Sequence, residues 1–132
     1  MKVYMLKVYL GKKIKKRPQS WRLIEIGGDD TLANLHDAIF DAYNRRIERY
    51  SEFIIRREIY LFPTDSSGEF ESALFTDIDT LNLSPGDSFR YLFDYMTEVW
   101  HMVEVINIED RPELKEFSWR VVEIHDTPFA VT

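Results

Sequence analysis

His36, His101 and His125 are the only imidazoles in this chain, and it contains no cysteine. A disulfide framework, a thiolate zinc centre and a cysteine nucleophile are therefore excluded together. The histidines are not paired at helical or strand ligand spacing, so no metal site is expected. His36 falls on the flank of an apolar stripe, where a hydrogen-bonded structural role is the ordinary outcome. Asp94, Glu98 and His101 lie close along the chain, and a carboxylate beside an imidazole is the minimum for general acid–base work. No nucleophile or oxyanion donor accompanies them. With His36 they are the catalytic candidates, and the expectation leans away from an enzyme.

A second candidate is electrostatic. Lys12, Lys13, Lys15, Lys16 and Arg17 form a basic run, with Arg22 and Trp21 just beyond it. Residues 1–22 hold eight of the 17 cations and none of the 23 acids. Such a run can neutralise phosphates and release condensed counterions. Against nucleic-acid binding stands the net charge of −6, which repels a polyanion. A solvated hairpin tip is the simpler expectation. Leu74 to Leu81 (LFTDIDTL) imitates an aspartate-nucleophile phosphatase motif, but that chemistry needs the end of a parallel strand in a doubly wound sheet, which this chain lacks. No phosphate-cradling glycine loop, nucleophile elbow or dinucleotide fingerprint occurs, and no cofactor is expected.

These residues need positioning elements. Residues 2 to 10 and Trp21 to Ile26 are rich in β-branched and aromatic types and predict an antiparallel hairpin whose tip is the basic loop. Asp30 or Thr31 can cap a following helix. Leu32, Leu35, Ile39, Ala42, Tyr43 and Ile47 recur at three- and four-residue steps and predict a long amphipathic helix through Ile47. Phe53 to Ile55 and Ile59 to Phe62 predict short strands around Arg56-Arg57. Pro63 to Ser72 reads as a mobile loop, and Asp77 to Leu83 as a single helical turn. Ser84 to Asp87 is a turn, Phe89 to Phe93 and Trp100 to Ile108 a second strand pair joined near Met96 and Thr97, and Phe117 to Ile124 a last strand.

With 132 residues, 45% of them apolar and 14% aromatic, the chain fits one α+β domain over residues 1–132 with one core. The layout expected is a β-hairpin, a long helix packed on one face of a mixed or antiparallel sheet, and further strands completing it, as an extended β-grasp. No apolar run approaches the length needed to span a bilayer, and no signal-peptide cleavage site follows the N-terminal stretch, so the expected address is cytoplasmic.

Three segments in order carry a resemblance: Leu6-Lys7-Val8 leading to Trp21-Arg22-Leu23-Ile24-Glu25-Ile26; Thr31-Leu32 followed by Leu35-His36 and Ile39; and Phe89, Tyr91 and Phe93-Asp94-Tyr95 closing with Trp100-His101. Together, over roughly residues 4 to 109, the chain resembles the plasmid pRiA4b ORF-3 family of small proteins associated with plasmids and transposons. The resemblance implies an α+β fold and no established reaction. It departs where the family shows Tyr-Asp-Phe-Gly-Asp, since this chain has Phe93-Asp94-Tyr95-Met96-Thr97-Glu98 and must turn without glycine there. The functional expectation is a non-enzymatic interaction or regulatory protein of a mobile element, meeting a protein partner with the open face or edge of its sheet. Tyr91, Phe93, Trp100 and Trp119 are the aromatics expected to supply such a patch.

Overall fold

A computed structural model describes residues 1–63, 70–94, 96–112 and 119–128. Eight strands form one mixed sheet: β1 (Lys2–Leu10), β2 (Ser20–Gly27), β3 (Ser51–Ile55), β4 (Glu58–Phe62), β5 (Glu71–Ser72), β6 (Ser88–Phe93), β7 (Val99–Asp110) and β8 (Arg120–Asp126). Their order is β5-β4-β3-β6-β7-β1-β2-β8. Every pairing is antiparallel except β4 with β5. One helix, α1 (Leu32–Ala42), lies on one face, accompanied by 3₁₀ turns at Ala73–Phe75 and Ile78–Leu81. The expected grasp-like layout is not what forms. The β6–β7 hairpin inserts between β1 and the β3–β4 hairpin, and β8 pairs outside β2. Residues 64–69 of the expected loop and residues 117 and 118 of the expected last strand lie outside the described residues.

Alternation in the strands divides the sheet into two faces. Tyr4, Leu6, Val8, Ile24, Ile26, Phe53, Tyr91, Val103 and Val105 are almost fully excluded from water and meet Leu32, Leu35 and Ile39 of α1. Tyr91 and Phe93 point into this core, because their phase along β6 is that of the helix-covered face, so neither contributes to a surface patch. Trp100 and Trp119 are half-buried. No helix among the described residues is long and apolar enough to cross a membrane.

Helix α1 begins as its sequence directs. Thr31 accepts from the Asn34 amide at 3.1 Å, and the Asn34 side chain accepts from the Thr31 amide at 2.9 Å, a reciprocal cap that satisfies two otherwise orphaned donors. A Cβ added at Gly28, just before it, would lie 2.0 Å from the Asp79 carboxylate, so any side chain there would displace Asp79.

The helix ends earlier than its apolar spacing predicts. Asn44 takes a left-handed conformation (φ 53°), its amide bonds Asp41 O at 3.0 Å, and the Arg45 amide bonds Phe40 O at 3.0 Å. This is the 6→1 and 5→2 pair of a Schellman stop, with asparagine in the position usually held by glycine. Ile47, expected on the buried stripe, is 61% exposed.

Because asparagine tolerates this backbone better than other side chains do, Asn44→Ala is expected to lower stability by about 1 kcal/mol and Asn44→Gly to leave it equal or higher. Urea unfolding of the two variants checks the helix end. Equal destabilisation by both would contradict it.

Candidate functional site

Beyond the stop, residues 43–50 reverse over the end of the sheet and deliver partners to two buried histidines. His36, on α1, has no exposed side-chain surface. Its Nε2 lies 3.0 and 3.2 Å from the two carboxylate oxygens of Glu48, and its Nδ1 lies 2.5 Å from the Tyr91 hydroxyl. A carboxylate only accepts, so Nε2 carries the proton and Tyr91 donates to Nδ1. The ring packs 4.3 Å from that of Phe62, measured between centroids. Burial lowers the His36 pKa, and the Glu48 hydrogen bond and charge offset only part of that effect. Burial also raises the pKa of the Tyr91 hydroxyl.

His101, on β7 opposite Tyr91, is likewise fully excluded from water. Its Nδ1 donates to the Tyr9 carbonyl at 3.1 Å, and its Nε2 accepts from Arg45 Nη2 at 2.5 Å. The Arg45 guanidinium lies 4.2 Å from the Phe93 ring and 5.1 Å from the Tyr43 ring, so aromatic faces rather than a carboxylate surround this charge. Its Nη1 is buried with no hydrogen-bond partner among the described residues. Burial first, and the Arg45 charge second, push the His101 pKa down to about 3.

Around the mouth of this network is a cleft of about 490 Å3 lined by Glu48, Arg49, Tyr50, Phe62, Pro63, Asp94 and Met96. Its walls are mostly apolar, and its charged groups among the described residues are two carboxylates and one guanidinium. Arg49 Nε lies 3.4 Å from Asp94 Oδ2. Asp94 also closes the β6–β7 turn, accepting from the Met96 amide at 3.2 Å and the Thr97 hydroxyl at 2.9 Å. The turn is made without glycine because Asp94 and Glu98 both adopt φ 54°. Tyr95, within the family-like motif, lies outside the described residues.

The catalytic candidates are thus distributed rather than assembled. Asp94 lines the cleft, and Glu98 stands exposed at the start of the return strand. His101 points into the core, and His36 closes the cleft's inner end through Glu48. The Glu98 amide donates to the Asp94 carbonyl at 2.7 Å within the turn, but no side-chain hydrogen bond or ion pair among the described residues joins any two of Asp94, Glu98 and His101. At neutral pH both buried imidazoles are neutral with both nitrogens occupied, so neither is a ready proton acceptor.

The basic candidates also separate. Lys12, Lys13, Lys15, Lys16 and Arg17 stand exposed at the β1–β2 tip. Arg22 is buried: its guanidinium grips Asp126 at 2.9 and 3.0 Å, and its Nε donates to the Ala42 carbonyl at 2.9 Å. It tethers the helix end to β8 and is withdrawn from any phosphate.

Sequence reasoning missed Arg45, Glu48 and the pairing of Tyr91 with His36. It also missed that His36, Asp37 and Glu48 each present a ligand atom within 4.8 Å of the others. Asn44 was the one signal that pointed to this chain reversal.

Residues 2–124 match the family described as plasmid pRiA4b ORF-3-like protein. Among solved structures, a protein of unknown function, MM3350 from Methanosarcina mazei Go1, is similar with a TM-score of 0.72 and 22% identity, over 93% of this chain and 68% of that one. At that identity the likeness speaks for the fold. No curated protein matches.

Since the folded His101 pKa lies below the ordinary value of 6.5, folding favours the neutral ring. Its contribution is complete above about pH 6.5 and is lost as pH falls toward 3. Between about pH 6.5 and about pH 5 the chain is expected to lose about 1.5 kcal/mol through this group, while carboxylates remain largely ionised. Denaturant titrations at both pH values check this against His101→Gln, which should lose less by about that amount. Equal losses in both proteins would contradict it.

Proposed function

The chain belongs to the plasmid pRiA4b ORF-3-like family, and we propose that it acts there as a cytoplasmic, non-enzymatic interaction protein of a plasmid or other mobile element. It grips a segment of a protein partner in the cleft between the residue 43–50 reversal, the end of β4 and the β6–β7 turn. The observation that carries this reading is the cleft itself, an apolar-walled space of about 490 Å3 with a charged rim. Tyr50 and Met96 reach its mouth at 63% and 85% exposure, the kind of apolar surface a partner covers. Glu48 and Asp94 outnumber Arg49 there. The segment that fits is a bulky apolar side chain next to a Lys or Arg.

Asp94, Glu98 and His101 share no side-chain hydrogen bond among the described residues, and both buried imidazoles have their nitrogens occupied, which favours binding over turnover. Nucleic-acid binding would rest on the exposed Lys12–Arg17 tip alone, without Arg22, and against the net charge.

Selection of phage-displayed random peptides on the immobilised chain, in buffer containing a chelator, tests the proposal. Enriched peptides are expected to share an apolar residue beside a basic one and to bind Met96→Glu at least about tenfold more weakly, since a charge would enter the apolar mouth. No enrichment, or peptides indifferent to Met96→Glu, would overturn it.

A further inference from the structure

We propose that His36, Asp37 and Glu48 form a binding site for a divalent transition-metal cation of the zinc class at the inner end of the cleft. The site goes beyond the peptide-docking reading and does not depend on it. A His36 ring nitrogen and one carboxylate oxygen each from Asp37 and Glu48 all lie within 4.8 Å of one another. Two ligands on one tetrahedral zinc sit roughly 3.4 Å apart, given bonds of about 2.0 to 2.2 Å. The 3.0 and 3.2 Å between His36 Nε2 and the Glu48 oxygens therefore already approach the required spacing, and only the exposed Asp37 side chain has to close in.

The imidazole is held as a ligating histidine usually is. Its inner nitrogen is fixed by the Tyr91 hydroxyl at 2.5 Å, and its plane rests against Phe62. Cation binding moves the ring proton from Nε2 to Nδ1. Tyr91 then changes from donor to acceptor of the same hydrogen bond, and the ring stays neutral throughout. The Glu48 side chain is 53% exposed, so an ion enters from solvent, and three protein ligands leave a fourth position for water or a group lying in the cleft.

An imidazole nitrogen with two carboxylates suits zinc or cobalt better than magnesium or calcium, which prefer oxygen ligands alone. The Asp37 and Glu48 carboxylates lie within 4.8 Å of each other, a crowding of like charge that a cation would relieve. Two cations face the site from the reversal segment and oppose a metal. Arg45 is committed to His101, and Arg49 is paired with Asp94.

Titration of the untagged chain with cobalt(II), followed by its visible d–d absorption and displaced by zinc, tests the site. One cobalt per chain is expected. Asp37→Asn and Glu48→Gln, both at exposed positions, should each weaken binding at least about tenfold, and Tyr91→Phe about tenfold through the inner nitrogen. His125→Gln, at an exposed histidine stacked on Trp21, should leave binding unchanged. Circular dichroism of each variant separates lost ligation from lost folding. No saturable spectrum, equal affinity in Asp37→Asn and Glu48→Gln when both are folded, or loss of binding in His125→Gln would overturn the proposal.

Discussion

Two imidazoles sealed from water must each be neutral and have both nitrogens occupied, and the region around the cleft is organised by that requirement. The core supplies only one partner to each ring: Tyr91 to His36, and the Tyr9 carbonyl to His101. The other partner comes in each case from the segment that follows α1. Glu48 reaches one ring and Arg45 the other. The Schellman stop at Asn44 is therefore more than a helix end, because it turns the chain back so that one short segment completes both.

Bringing Arg45 inward places a guanidinium against aromatic faces with no ion-pair partner among the described residues, an arrangement that keeps His101 neutral by electrostatic repulsion as well as by burial. The same reversal carries Arg49 to Asp94, and Asp94 in turn closes a hairpin that lacks glycine by adopting a left-handed backbone. The β6–β7 turn is thus the rim of the cleft, where Met96 stands exposed. The histidines, the reversal and the hairpin turn form one mechanical unit. The basic tip of the first hairpin lies outside it.

Much of the sheet was legible in the sequence. β-branched and aromatic runs placed β1, β2, β6 and β7 within a residue or two, because a half-buried pleated surface selects those residues strongly. Thr31 likewise announced the helix start. The helix end was misread because Tyr43 and Ile47 continue the apolar spacing by coincidence, while a single Asn44 with favourable capping geometry overrides it. That misreading also concealed the site. In a helix continued through Ile47, His36 and Glu48 would stand about 18 Å apart along the axis, whereas they lie 3.0 Å apart. Short-range spacing among histidines carries no information about a ligand brought back by a chain reversal. Arg22 was misassigned for a related reason. Its neighbours are basic and exposed, but its phase on β2 points it to the helix end and Asp126.

The most direct test is the protonation state of the two rings, read from long-range proton–nitrogen correlation spectra of the imidazoles in chelator-treated protein. The structure requires His101 as the Nδ1–H tautomer and His36 as the Nε2–H tautomer, with His101 holding its form from neutral pH down to about pH 5. A His101 that protonates near its ordinary value of 6.5, or the opposite tautomer at either ring, would contradict the account.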